Sequence, residues 1–333
     1  MDWLQLAKNR VRKILRKRRV CSIKQLESKI SEAGPNNMRA EPDFITKATK
    51  ALLKEGILKS VFEKMKYCEM VFYLSEDYDE NSNVDKERFN YIKKLYEKYF
   101  EFSHSQKNCG FVLEKIIKKA AIDSDKFTII GGPGYSTNNL PVNGKKIVGD
   151  IDLILLEKKT SKAICVEVKN KREWLYGKSK DIWSGINKAI SNELPLVLIA
   201  RKFPYITRIF FKELGILGFE THNQYFHPKL QEKMSEIKHK DGLGFADIRF
   251  SEEPEERHVN FFKNTITTNI ISSRKKFFEN EEILLKYSEI LSQDINTSER
   301  ESTFYDFLRE IGLMKEEEEY PEDYYDMGDY NDY

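Results

Sequence analysis

The stretch GDIDLILLEKKTSKAICVEVKN, residues 149–170, holds two short apolar runs with charged residues set into them. A strand bound for a core has no evident use for Asp150, Asp152, Glu167 and Lys169. Burying a charge is costly unless it is paired or binds a metal. Strands are expected over 146–156 and 162–169, joined by a turn centred between Lys159 and Thr160. Directly paired residues then have numbers that sum to 319, which sets Asp152 opposite Glu167 and Asp150 opposite Lys169. Side chains alternate faces along a strand. All four polar residues therefore share one face at one end, and Ile151, Leu153, Leu155, Ile164, Val166 and Val168 share the other.

Opposed residues in such a hairpin have Cβ atoms roughly 4.5–5.5 Å apart. Two carboxylates that close repel each other unless one takes a proton or a cation sits between them. Hard oxygen ligands on a compact scaffold suit Mg²⁺ or Mn²⁺. Lys169 can reach the same place, to neutralise a phosphate or to orient and deprotonate an attacking water. Divalent metals supply both Lewis acidity and a more acidic water for phosphodiester hydrolysis.

Downstream, SKDIWSGINKAISNE is expected to be helical, and LPLVLIARK is the nearly all-apolar run of a strand covered on both faces. YITRIFFKELG reads as a helix and ILGFET as a strand. Upstream, QKNCGFVLEKIIKKAA is a helix and FTIIGG a strand, followed by a turn-rich loop whose GGPGYSTNN segment lacks the Gly-Lys-Ser/Thr of a phosphate-binding loop. The order is helix, three strands, helix, strand, helix, strand, which is a mixed α/β pattern. Residues 255–313 read as helical, to pack on that core or form an arm.

GDID followed by EVK resembles the PD-(D/E)XK nuclease superfamily, whose pattern is an Asp on one strand and Glu/Asp-x-Lys on the next. The resemblance covers roughly residues 107–220. It implies a restriction-endonuclease-like mixed sheet flanked by helices, with Asp152 and Glu167 as metal ligands, help from the Val168 carbonyl, and Lys169 as the catalytic lysine. Asp150 sits where many relatives carry an additional acid, and Glu114, on the helix before the sheet, matches a further acidic position. The match departs in having Gly149 and Ile151 before the two aspartates, and in lacking a Gln-x-x-x-Tyr motif after Lys169.

The first 75 residues have a different character. They carry seventeen Lys and Arg against eight Asp and Glu, whereas the whole chain has a net charge of only +2. Leu4, Leu6, Val11, Ile14 and Leu15 share a helical face, opposite Arg10, Arg12, Lys13, Arg16, Lys17 and Arg18. Ser22 and Gln25 are spaced as a capping box. AGPNN breaks the chain, a helix restarts at Pro42, and ILKSVFEKMKYCEMVFYL reads as two strands with a charged turn. Three short helices and a hairpin resemble a winged-helix domain over 1–75. Its third helix would present Thr46, Lys47, Thr49, Lys50 and Lys54 to the major groove of DNA. Arg12 and Arg16 would add phosphate contacts. Winged helix first and nuclease core second is a layout similar to Mrr-like restriction enzymes.

These features divide the chain into a winged helix-turn-helix at 1–75, a linker and connecting helix at 76–105, a nuclease core at 106–250 and a helical region at 251–313. An acidic, Tyr-rich tail follows at 314–333, with nine acids and one lysine, expected to be disordered in isolation. That tail would solubilise the protein, bind a basic partner, or cover the protein's own basic surface. His222 and Asn223, after the last core strand, are candidates to support the site. Lys171 and Arg172, interleaved with Trp174, Tyr176 and Trp183, are candidates to contact nucleic acid.

No apolar run approaches the ~18 residues needed to span a bilayer, and the basic first residues lack an apolar signal core. The four cysteines form no CxxC pair, which argues against a disulfide framework or a zinc site of ordinary spacing. A cytoplasmic location is expected. The function expected is a Mg²⁺- or Mn²⁺-dependent DNA endonuclease in restriction or another defence role, with a homodimer as the simplest way to cut both strands. A DNA-binding regulator without catalysis and a structure-selective repair or junction nuclease are the alternatives.

Overall fold

The structure is a computed structural model that describes residues 2–32, 40–132 and 147–315. The AGPNN breaker, the loop beyond Gly132 and the acidic tail from 316 onward lie outside the described residues. The chain divides into two compact units, residues 1–109 with 226–250, and residues 110–225 with 251–333.

In the first unit, α1 (Trp3–Arg18) begins where the Asp2 carboxylate accepts the Gln5 N–H at 2.9 Å, and it buries Ala7, Val11 and Leu15. A short strand, β1 (Val20–Ser22), follows, and α2 (Ile23–Ile30) opens with the Ser22–Gln25 capping box. Helix α3 (Pro42–Lys54) has Pro at its first position and buries Ile45, Ala48, Thr49 and Leu52. Strands β2 (Lys59–Lys64) and β3 (Glu69–Leu74) form an antiparallel hairpin, and β1 adds to β3, giving the order β1-β3-β2. The long α4 (Asn83–Ser103) buries Ile92, Leu95, Tyr96 and Tyr99. Phe226, Met234, Ile237 and Phe245 pack in the same cluster, which is why residues 226–250 belong with this unit although they follow the second unit's strands in sequence.

The second unit is mixed α/β. After α5 (Phe111–Asp123) come β4 (Phe127–Gly131), β5 (Leu153–Glu157) and β6 (Ala163–Lys169). Then α6 (Lys180–Ser191), β7 (Leu196–Ala200), α7 (Tyr205–Leu214) and β8 (Leu217–Glu220) complete a five-stranded sheet of order β4-β5-β6-β7-β8. Strands β4, β5 and β6 run antiparallel, and β6, β7 and β8 run parallel. One face carries Leu153, Leu155, Ile164, Val166, Val168 and Ile199 against Leu113, Ile116 and Ile117 of α5 and Phe262. The other carries Ile154, Cys165, Leu196 and Leu198 against Ile182 and Ile186 of α6 and Phe210 of α7. Covering both faces removes the polar side of the strands, so β7 is buried throughout.

The C-terminal helices α8 (Thr267–Glu279), α9 (Glu281–Ser292) and α10 (Thr297–Glu310) supply Phe277, Leu284, Tyr287 and Phe307 to the second face. The region thus packs on the core rather than forming an arm. No helix among the described residues is long and apolar enough to cross a membrane.

Candidate active site

The pairing of β5 with β6 runs from Leu153↔Val166 to Leu156↔Ala163, so the sum of 319 holds through the ladder. The first strand, however, begins at Leu153, seven residues later than the sequence pattern indicates. Asp152 is the cause at close range. Its Oδ2 accepts the Val168 N–H at 2.7 Å, where a longer strand would have offered a main-chain carbonyl. Gly132 presses on the same point: a Cβ there would lie 2.5 Å from the Asp152 carbonyl oxygen, and its φ of +126 is one that L side chains rarely adopt. Two expectations are corrected as a result. Asp150 does not pair with Lys169 but lies exposed ahead of the strand, with no hydrogen bond or ion pair among the described residues. Ile151 packs in the cluster under α6, not with Leu153 and Leu155.

Asp152, Glu167 and Lys169 do come together. The Lys169 Nζ lies 2.7 Å from Glu167 Oε2 and 3.4 Å from Asp152 Oδ2. Lys188, on α6, donates to the other Glu167 oxygen at 2.9 Å. Helix α6 reaches this close because Gly185 faces Glu167, where a Cβ would already be 3.5 Å from Glu167 Cγ. Asn192, one turn beyond Lys188, accepts the Val148 N–H at 2.7 Å and donates to the Val148 carbonyl at 2.8 Å. The same helix therefore holds both Glu167 and the segment that leads into Asp152.

The Glu167 side chain is 1% exposed, and those of Asp152 and Lys169 are 17% exposed. Two buried carboxylates are matched by two ammonium groups, which is what makes their burial tolerable. Burial pushes the Asp152 carboxyl up, against the opposing pull of Lys169. Burial pulls the Lys169 ammonium down, but Asp152 and Glu167 together outweigh it and hold the group more firmly protonated than a free lysine. Lys169 is therefore a cation at neutral pH, suited to meet a phosphate and unsuited to deprotonate water.

Glu114, in the first turn of α5, stands near enough to feel this cluster. Burial first, and then the charge of Asp152, push its carboxyl up to about 7. It makes no hydrogen bond or ion pair among the described residues. A carboxyl in that range can take up or release a proton near neutrality.

The remaining candidates are placed differently. His222, at a φ of 54, has its Nδ1 3.7 Å from the Glu220 carboxylate, and Asn223 donates to Glu255 at 3.4 Å. Lys171 pairs with Asp181 at 2.5 Å. Arg172 is 3% exposed, with its carbonyl accepting the Arg201 guanidinium at 2.7 Å, so it is a core residue of this unit and not a surface contact. In the first unit Arg12 and Arg16 both reach Glu76. Lys47, Lys50 and Lys54 lie exposed in one stripe of α3, whereas Thr49 is buried with its hydroxyl donating to the Thr46 carbonyl at 2.9 Å.

Three residues of the site escape the strand pattern. Lys188 and Asn192 are signalled only by standing three and seven positions after a helical glycine, on the edge of the Ile182–Ile186–Ala189 stripe. Asn170, directly after Lys169, holds Tyr225 by both its main-chain groups, donating to the carbonyl at 2.6 Å and accepting the N–H at 3.0 Å. Nothing in the local sequence marks that partner.

Among the described residues, no three His, Cys, Asp or Glu side chains gather into a group that could hold a metal on their own. Comparison with protein-family models, with characterised proteins and with solved structures finds no match to this chain.

Proposed function

We propose that this protein is a divalent-metal-dependent DNA endonuclease of the PD-(D/E)XK kind, acting in restriction or a related defence role. The observation that carries the proposal is the convergence of Asp152, Glu167 and Lys169 at the end of β6, with Lys169 Nζ 2.7 Å from one carboxylate and 3.4 Å from the other. The carboxyl ends of parallel strands are where open α/β sheets bind their ligands, and β6 and β7 end together at Lys169 and Ala200.

The donor set fits a small divalent cation. Mg²⁺ is commonly held by one or two carboxylates, with water and substrate phosphate completing its shell, so a pair of acids suffices. Asp152 and Glu167 would hold it, and Asp152 Oδ1 has no hydrogen-bond partner among the described residues. When bound, such a cation supplies Lewis acidity at the phosphate. The protein's own groups do the rest. Lys169 places a fixed positive charge beside the phosphate. Glu114, at about 7, accepts the proton lost by the attacking water. One P–O bond forms to that water, one P–O ester bond breaks, and the leaving oxygen takes a proton from solvent.

The first unit supports a nucleic-acid substrate. Its three helices and hairpin resemble the winged-helix arrangement, and its lysine stripe on α3 suits phosphate contacts. The described cysteines are all free, with Cys21, Cys109 and Cys165 buried, in keeping with the cytoplasm. A DNA-binding regulator that does not cut is the competing account, favoured by the neutralisation of both acids by lysines. Incubating the full chain with methylated and unmethylated duplex, branched and single-stranded DNA in Mg²⁺ separates the two. Cleavage that disappears in Asp152→Ala and Glu167→Ala supports the nuclease, and no cleavage of any substrate rejects it.

A further inference from the structure

Both oxygens of Glu167 are already taken, Oε2 by Lys169 and Oε1 by Lys188 at 2.9 Å. The two lysines are not held alike. Lys169 sits on a strand and bridges two carboxylates, with 17% of its side chain exposed. Lys188 sits on a helix, has Glu167 as its single ion-pair partner among the described residues, and is 26% exposed. Its stem passes the Gly149 backbone, where a Cβ would lie 3.7 Å from Lys188 Cγ. The helix itself is fixed by Asn192 on Val148 and by Gly185 against Glu167. With the helix anchored, the long side chain of Lys188 can swing its ammonium away from Glu167 without moving the backbone.

We infer that Lys188 is a built-in counterion that competes with a divalent cation for Glu167. It neutralises the buried carboxylate while no cation is bound, and it yields Oε1 when one arrives. Lys188 is thus a positioning residue that sets how tightly the acid pair takes a metal. A residue that merely stiffened the site would weaken metal binding when removed, whereas a competitor strengthens it. The inference rests on the metal-site proposal above.

The test is Mn²⁺ binding to the full chain without DNA, read from the electron paramagnetic resonance signal of free Mn²⁺. Lys188→Met and Lys188→Gln are both expected to bind Mn²⁺ about tenfold more tightly than the unaltered protein, because a positive charge a few ångströms away no longer repels the ion. Lys188→Arg, which keeps the charge, is expected to retain the original affinity. Lys188→Gln guards against loss of folding in Lys188→Met, and far-ultraviolet circular dichroism checks both. If Mn²⁺ binds the unaltered protein and is lost in Asp152→Asn, but affinity is unchanged or lower in both uncharged Lys188 variants, the competition is refuted and the metal site stands. If the unaltered protein binds no Mn²⁺, or Asp152→Asn binds it equally, the metal site is refuted and the competition with it.

Discussion

Replacing Glu114 by Gln should make the second unit more stable at neutral pH and leave it unchanged in acid. The Glu114 carboxyl rises to about 7 in the folded chain, chiefly through burial and next through the charge of Asp152, against an ordinary value of about 4.3 when unfolded. A raised acid binds its proton more tightly in the folded state. Its contribution to stability is therefore complete below the unfolded value and is lost as pH climbs through the folded one. Each pKa unit corresponds to about 1.4 kcal/mol, so a shift of this size would amount to roughly 3–4 kcal/mol for a group sealed from water. Glu114 is only half-buried, and solvent screening brings the expectation down to about 1–2 kcal/mol. Glutamine keeps the shape and never ionises. Two of the three tryptophans, Trp174 and Trp183, lie in the second unit, so a Trp3→Phe background lets fluorescence report that unit alone during urea unfolding. The gap between Glu114→Gln and its parent should be near zero at pH 4 and open to about 1–2 kcal/mol in favour of Gln by pH 8. Parallel stability curves from pH 4 to pH 8 would show that Glu114 does not feel burial or Asp152, and would remove it as the proton acceptor.

Two further outcomes follow from particular contacts. Gly132→Ala places a Cβ 2.5 Å from the Asp152 carbonyl oxygen at a φ of +126; it should cost about 2–3 kcal/mol in urea unfolding and displace the carboxylate that caps Val168, with cleavage lost alongside. Changing Lys47, Lys50 and Lys54 together to Gln should weaken DNA binding across all sequences and make the slope of log affinity against log salt shallower by about 2.7, if each lysine neutralises one phosphate. Fluorescence anisotropy over a range of salt concentrations reads that slope, and an unchanged slope would mean that α3 does not face the nucleic acid.

How much of this was visible in the sequence depends on the range over which each feature is determined. The β5–β6 register was legible because alternation and a single turn fix it locally, and it holds from Leu153↔Val166 to Leu156↔Ala163. The capping box at Ser22 and Gln25 was legible for the same reason. The start of β5 was not. It depends on the Asp152 side chain taking the Val168 N–H and on Gly132 crowding the Asp152 carbonyl, which are contacts between segments. The face of Ile151 depends on the same contacts, since a residue outside the ladder is freed from the alternation. Arg172 looked like a surface cation beside Lys171 and Trp174, yet the Arg201 guanidinium seeks its carbonyl and the chain buries it. Residues 226–250 read as a continuation of the α/β core, but Phe226, Met234 and Phe245 find their partners on α4. Lys188 was hidden most thoroughly, because only the close approach of α6 at Gly185 brings its ammonium to Glu167.

The central claim is that Asp152, Glu167 and Lys169 form one hydrolytic centre, and Lys169→Ala addresses it most directly. Lys169 is the cation shared by both acids, at 2.7 Å and 3.4 Å. The measurement is the single-turnover rate of DNA cleavage in Mg²⁺, with enzyme in excess, compared between the unaltered chain and Lys169→Ala at equal DNA occupancy. Loss of this charge should slow the chemical step by a factor on the order of 100 to 1,000, as removal of one preorganised electrostatic group does, while DNA binding through the first unit persists. Cleavage by Lys169→Ala at the unaltered rate would contradict the account.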